Sequence, residues 1–297
     1  MMRLAYHVEM LPLTTAMDTL ENAVNAYLII SGQDALLIDS GFIESASMID
    51  RRLRESGLVL EGIYLTHFHP DHSLGALEIA ANHQVKIHCH PLDYKPLIDL
   101  YRHYLPDADT SWVIADLDEG QTVSFSGEQL TILHIPGHSH GHIAIFDKKN
   151  GYLFAGDHVI PVGTVWIGPP DGHLTDYLRS LSRLLTLQVS KLYPGHGDPV
   201  LSPRFLMTQM QQRRLDREAE IMSHLSAKEH TAMSLVREIY VGKIPEPYLW
   251  AAKKTVIAHL QKLYGEHLIT MRHDSITNQF YYTASPVNSR LVDEGSD

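Results

Sequence analysis

A chain of 297 residues with 44% hydrophobic and 20% charged side chains has the make-up of a globular protein with a sizeable core, so disorder is not its default. No apolar run approaches the roughly 20 residues of a membrane span, and the start MMRLAYHVEMLPLTT lacks a basic segment followed by a continuous apolar one. A cytoplasmic protein without membrane association is therefore expected, and the formal net charge of −11 leaves little attraction for a polyanion over most of the chain.

NAYLII and ALLIDS, residues 25–30 and 35–40, are apolar runs separated by SGQD and predict a hairpin. IESASMIDRRLRESG has helical spacing and stops at Gly57. GIYLT predicts a short buried strand, after which THFHPDH precedes a helix over LGALEIAANH. VKIHCH is another strand; its Cys89 is the single cysteine, which excludes a disulfide framework and a Cys-x-x-Cys zinc site and reads as a buried structural thiol. Residues 91–112, Pro-punctuated and aromatic, predict a helical lid or insertion. QTVSFSG, EQLTILHIPG, HIAIFDKKNGYLFAGD and KLYPGHG supply further strands, with KKNG as a hairpin turn.

The character changes after Pro203. A long charged amphipathic helix, RFLMTQMQQRRLDREAEIMSHL, is followed by helices in TAMSLVREIYVG and EPYLWAAKKTVIAHLQKLYG, and HLITMR and QFYYTA flank HDSITN as a hairpin. Three helices and a two-stranded wing predict a winged-helix-like domain over residues 203–285, after a catalytic domain over 1–202 and before a flexible tail over 286–297. Residues 1–202 carry 12 basic and 24 acidic side chains, against 11 and 8 in 203–285. Divalent cations would partly neutralise the acidic part. The basic excess of the second part is small for a nucleic-acid surface, so a structural cap or a homodimer contact is preferred there.

The hexad His67-Phe68-His69-Pro70-Asp71-His72 would arise from this composition in roughly six of a thousand such chains. Four other places pair with it: His138 in PGHSHGH, Asp157 in FAGDH, His196 in YPGHG and Asp39 in LLIDSG. Each comes after an apolar strand-like run, so each would project from a sheet end, and several sheet ends on one rim can converge on a metal. Five imidazoles and the carboxylates of Asp71 and Asp157 exceed the four positions of one tetrahedral ion. Two ions fit better, and Asp157 is the natural bridge because a carboxylate can span two cations.

With the elements H-x-H-x-D-H, P-G-H, G-D and G-H-G in this order from about Asn25 to His196, the chain resembles the metallo-β-lactamase fold hydrolases. The resemblance implies an α+β fold, a four-layer αββα sandwich, with His67, His69 and His138 holding one ion, Asp71, His72 and His196 the other, and Asp157 between them. Asp39 matches an early aspartate that orients the metal-bearing loop. GDHV, DYLRSL and the helix-wing end are similar to the β-lactamase-like-protein-2 type, some members of which act on RNA. His72 and Asp157 stand where zinc β-lactamases of the best-known class have Arg and Cys, which disfavours penicillin hydrolysis. His69 stands where flavodiiron oxygen reductases carry an acid, and the 38 residues between Asp157 and His196 are too few for the domain inserted there in RNA-cleaving relatives.

The expected chemistry is metal-dependent hydrolysis. Two divalent ions, Zn²⁺ ahead of Mn²⁺ or Fe²⁺, bring a shared water towards neutral pKa, and the resulting hydroxide attacks an ester-like bond, a thioester, ester or lactone, of a small-molecule substrate. Asp71 is the expected catalytic residue, orienting that water and taking its proton. A metal-dependent endoribonuclease or phosphodiesterase acting on single-stranded RNA is the alternative. His140, His142 and His158 are read as supporting or pocket-wall residues, and His88 and His90 as structural. Trp166 and Tyr177, in the segment after Asp157, are read as core residues by default and as substrate contacts otherwise.

Overall fold

The structure, a computed structural model, describes residues 6–14 and 23–286. It divides into two compact units, Met1–Val165 with Thr175–Gln211 and Trp166–Leu174 with Gln212–Asp297. The expected tail over 286–297 lies outside the described residues apart from Pro286.

In the first unit six strands form one sheet in chain order: β1 (His7–Leu13), β2 (Val24–Ser31), β3 (Asp34–Ile38), β4 (Val59–Tyr64), β5 (Ile87–Cys89) and β6 (Val113–Ala115). β1 to β3 are antiparallel and β3 to β6 parallel. Parallel neighbours require a crossover. Helix α1 (Ser45–Glu55) makes the first, α2 (Pro70–Ser73) with α3 (Ala76–His83) the second, and α4 (Pro91–Tyr104) the third. The lid expected over 91–112 is thus corrected: α4 starts with Pro91 in its first turn, where no backbone N–H is needed, and buries Leu97, Ile98 and Tyr101 in the core. β1 carries no clear sequence signal because it is an edge strand containing Pro12, with its side chains half buried.

A second six-stranded sheet holds β7 (Thr122–Phe125), β8 (Glu128–His134), β9 (Ile143–Asp147), β10 (Tyr152–Gly156), β11 (Lys191–Pro194) and β12 (Val200–Leu201), again in sequential order. β7 to β10 form an antiparallel meander, and α5 (Leu174–Leu184) carries the chain from β10 to the parallel β11. In the turn between β9 and β10, the Asp147 carboxylate accepts from the backbone N–H groups of Lys149 at 2.9 Å and Asn150 at 3.0 Å.

The alternation of a strand explains the layers. Ala26, Leu28 and Ile30 of β2 enter a core shared with Ile49 and Leu53 of α1 and Ile79 of α3, whereas Tyr27 and Ile29 enter a second core with Ile132, Ile145, Phe154 and Tyr193 of the other sheet. α5, burying Leu181 and Leu184, completes the helix–sheet–sheet–helix order. The expected α+β sandwich is the observed one.

The second unit gathers Ile221 and Leu225 of α6 (Arg204–Ala227), Leu235, Val236 and Ile239 of α7 (Ala232–Tyr240), and Val256, Leu260 and Leu263 of α8 (Leu249–Gly265) around one core. Its sheet runs β13 (His230–Thr231), β15 (Gln279–Ala284), β14 (Ile269–Asp274), so the expected hairpin forms, with a third strand of two residues too short to leave a periodic signal. No helix among the described residues is long and apolar enough to cross a membrane.

Candidate metal centre

Four strands of the sandwich end on one rim, and the turn after each of them bears polar side chains that gather in one place. After β4 the chain passes through Thr66 and His67 into the single turn α2, whose N-cap is His69 and whose first position is Pro70. That turn sets Asp71 and His72 one after the other, with the His72 N–H donating to the His69 carbonyl at 3.0 Å. His138 comes after β8, Asp157 after β10 and His196 after β11.

The seven residues expected as ligands fall into two groups whose donor atoms lie within 4.8 Å of one another: His67, His69 and His138, and Asp71, His72, Asp157 and His196. His138 Nε2 is 2.9 Å from His69 Nδ1. In the other group His72 Nε2 is 3.3 Å from Asp157 Oδ1, and His196 Nε2 is 3.3 Å from Asp71 Oδ2 and 3.4 Å from Asp157 Oδ2. The same Oδ2 is 3.7 Å from His138 Nε2 of the first group, so the Asp157 carboxylate lies between the two.

The residues fit divalent cations. Among the described residues, His67 Nε2 is buried without a hydrogen-bond partner, and His72 Nε2 and Asp157 Oδ1 are buried facing each other as an ion pair at 3.3 Å; atoms so enclosed are costly unless something else satisfies them. Their other ends are tied: His72 Nδ1 to Asp39 Oδ2 at 2.9 Å, His67 Nδ1 to Thr66 Oγ1 at 3.0 Å, and, in the same cluster, His196 Nδ1 to the Ala23 carbonyl at 3.0 Å. Fixing one ring nitrogen by a hydrogen bond aims the other at a metal. Asp39 also accepts from the Thr66 N–H and hydroxyl, both at 2.8 Å, and adopts a left-handed φ of 57° to do so.

Charge leads to the same conclusion. Burial would lower the His72 pKa, but the carboxylates of Asp157, Asp71 and Asp39 hold it well above the usual value. Burial likewise opposes, and hydrogen bonds to Asp157 and Asp71 overcome, at His196, which is raised to about 10. The two carboxylates thus demand positive charge, supplied by protons when no cation is bound. His67 is lowered by burial and then by the histidines around it, so its imidazole is neutral, as a ligand must be.

Two motif glycines are required by space. A Cβ at Gly195 would stand 2.2 Å from Asp157 Oδ1, and one at Gly137, whose φ is +136°, would stand 2.3 Å from the Tyr177 Cα.

The other histidines divide. His142 is buried: its Nε2 accepts from the Asp157 N–H at 3.2 Å and its ring stacks on His67 at 4.8 Å. His158 is buried between His142 and Tyr177 and pushed down to about 3, first by burial. His140 is exposed, and its backbone carbonyl is engaged by His134 Nε2 at 2.8 Å. His88 pairs with Asp116 at 2.9 Å and His90 caps α4 through Leu92 N–H at 3.1 Å, both structural as expected. Burial pushes the Cys89 thiol up to about 12. Tyr177 is fully buried, a core residue, while Trp166 belongs to the second unit, its ring 6.5 Å from that of Trp250. Sequence reasoning misses Asp93, a buried carboxylate on α4, because a lone acid in a helix carries no motif.

Residues 20–196 match the model of the metallo-beta-lactamase superfamily, and residues 231–275 that of the beta-lactamase-associated winged helix domain. The chain belongs to the metallo-beta-lactamase superfamily. Among its relatives is the beta-lactamase-like protein 2 homolog of Drosophila melanogaster, 26% identical over 273 residues that cover 89% of each chain. An atrochrysone carboxyl ACP thioesterase of Emericella nidulans is 26% identical over 201 residues, 67% of this chain and 59% of that one. A beta-lactamase domain protein from Burkholderia ambifaria superposes with a TM-score of 0.81 at 21% identity, over 95% of this chain and 91% of that one. TTHA1623, solved in a di-iron-bound form, gives a TM-score of 0.52 at 30% identity over 65% of this chain and 96% of that one. Family, relatives and site together make the chain a metal-dependent hydrolase.

Proposed function

We propose that the chain hydrolyses an ester-like bond of a small molecule, a thioester or other carboxylic ester ahead of a lactone, and that it does so with two divalent cations. The carrying observation is the position of Asp157, whose Oδ2 is 3.4 Å from His196 and 3.7 Å from His138, within reach of both ligand groups. His67, His69 and His138 would hold one ion and Asp71, His72 and His196 the other, with Asp157 shared. Zn²⁺ is favoured over Mn²⁺ and Fe²⁺ by its affinity for such ligands. When bound, the ions supply Lewis acidity and bring the pKa of water towards neutrality.

The protein's own part is to place a proton acceptor and leave an opening. Among Asp71, Asp157, His72, His138 and His196, Asp71 has the most accessible side chain, 27%, with His196 next at 21% and His72 fully enclosed. Substrate therefore approaches over Asp71 and His196, and the Asp71 carboxylate would orient the attacking water and take its proton. The thioesterase names among the relatives support acyl over phosphoryl transfer.

Zinc-loaded protein is expected to hold about two ions per chain, one per ligand group, and to cleave acyl thioesters. Protein that holds both ions and cleaves nothing in a panel of thioesters, esters and lactones would refute the reading. Cleavage of single-stranded RNA, with binding that weakens steeply with salt, would favour phosphodiester chemistry in its place.

A further inference from the structure

The first ligand group is carried by two loops far apart in the chain, and a third element joins them. Asp93 lies in the first turn of α4 and is almost completely enclosed, 1% exposed. Its Oδ2 accepts from the Phe68 N–H at 3.1 Å and from the Ser139 hydroxyl at 3.0 Å, and its Oδ1 accepts from the Gly141 N–H at 2.8 Å. Phe68 is the residue between His67 and His69, and Ser139 is the neighbour of His138. One carboxylate thus ties the loop bearing two imidazoles of the group to the loop bearing the third.

The chemistry of the three partners selects this residue. All three donate, so the side chain between them must only accept, and an ionised carboxylate is the group that does this with both atoms. An amide of the same shape would turn an N–H₂ against a backbone N–H on one side or the other. Burying the carboxylate is costly, since burial pushes its pKa up while the three donors pull it down. Space is committed to it too: a Cβ at Gly141 would stand 2.5 Å from Asp93 Oδ1 and 2.7 Å from the Asp93 backbone nitrogen, so only glycine fits between the loop and α4.

We infer that Asp93 is a positioning residue for the metal centre, setting the separation of His67 and His69 from His138 and so the affinity for the ion those three would hold. The inference rests on the proposed two-cation site. Asp93 would touch no cation itself; in the second group Asp71 and His72 share a turn with its partner Phe68, but Asp157 and His196 stand on other turns, so the ligands that Asp93 ties loop to loop are those of the first group.

The test is titration of metal-free protein with zinc against a competing chelator, which resolves two dissociation constants, alongside the melting temperature of the metal-free protein. Asp93→Asn is expected to weaken one constant by about 10- to 100-fold and leave the other within a few-fold. Ser139→Ala, which removes one of the three donors, is expected to shift the same constant by less; if Asp93→Asn does not fold, this variant decides alone. Both constants unchanged, with only the melting temperature lowered, means that Asp93 serves the packing of α4 and overturns the assignment. Wild-type protein with fewer than two tight sites would instead remove the two-cation site, and this inference with it.

Discussion

His72 shows how much of a site can rest on one residue outside it. The ring is fully buried, and its tautomer and aim are decided by Asp39, which holds Nδ1 at 2.9 Å and at the same time takes two hydrogen bonds from Thr66, next to His67. Replacing Asp39 with Asn keeps the shape but sets an amide N–H₂ against donors. We expect about a 10- to 100-fold loss of zinc affinity, read by chelator competition, with a corresponding loss of hydrolysis at limiting metal. His142 plays a related part at Asp157 through the backbone N–H it holds at 3.2 Å. These contacts run between residues 15 to 33 positions apart, and nothing in the local sequence announces them.

Elements legible in the sequence are those whose burial is one-sided or whose ends carry turn chemistry. The β2–β3 and β14–β15 hairpins and the helices α1, α3, α7 and α8 follow from apolar spacing and flanking glycines or polar turns. Over α4 the helix is as expected but the lid is not: Pro91 sits where a helix accepts it, and the parallel pairing of β5 and β6 demands a crossover. α7 has a reciprocal cap: the Thr231 hydroxyl accepts from the Ser234 N–H at 3.1 Å while Ser234 Oγ accepts from the Thr231 N–H at 2.9 Å. Thr231→Ala is expected to cost about 1 kcal/mol, measured by urea unfolding. Hydrolysis at saturating metal should not change, because every ligand stands in the first unit.

For the whole molecule the charge of the centre couples folding to pH and to metal. His196 has a folded pKa of about 10, above its ordinary 6.5, so in metal-free protein it contributes stability that is complete below 6.5 and is lost as the pH rises through about 10. His72 is raised as well and acts in the same direction. The depressed groups, Asp71, Asp157, His67 and His158, act on the acid side, where stability is lost as the pH falls. Metal-free protein should therefore melt at a lower temperature at pH 10 than at pH 7, and saturating zinc should remove most of that difference by replacing the protons. An equal fall with and without zinc would mean that the cations do not bind where these histidines stand.

The sequence by itself determined which side chains could serve as ligands, their order, and the strands that deliver them, because ligand type and strand periodicity are local properties of a few neighbouring residues. It determined as well that a winged helix comes after the sandwich. Only the tertiary structure decided that His142 and Asp93 support the loops and that His140 does not enter. Those outcomes depend on which segments pack side by side, and a buried hydrogen bond between distant loops is fixed by the fold as a whole.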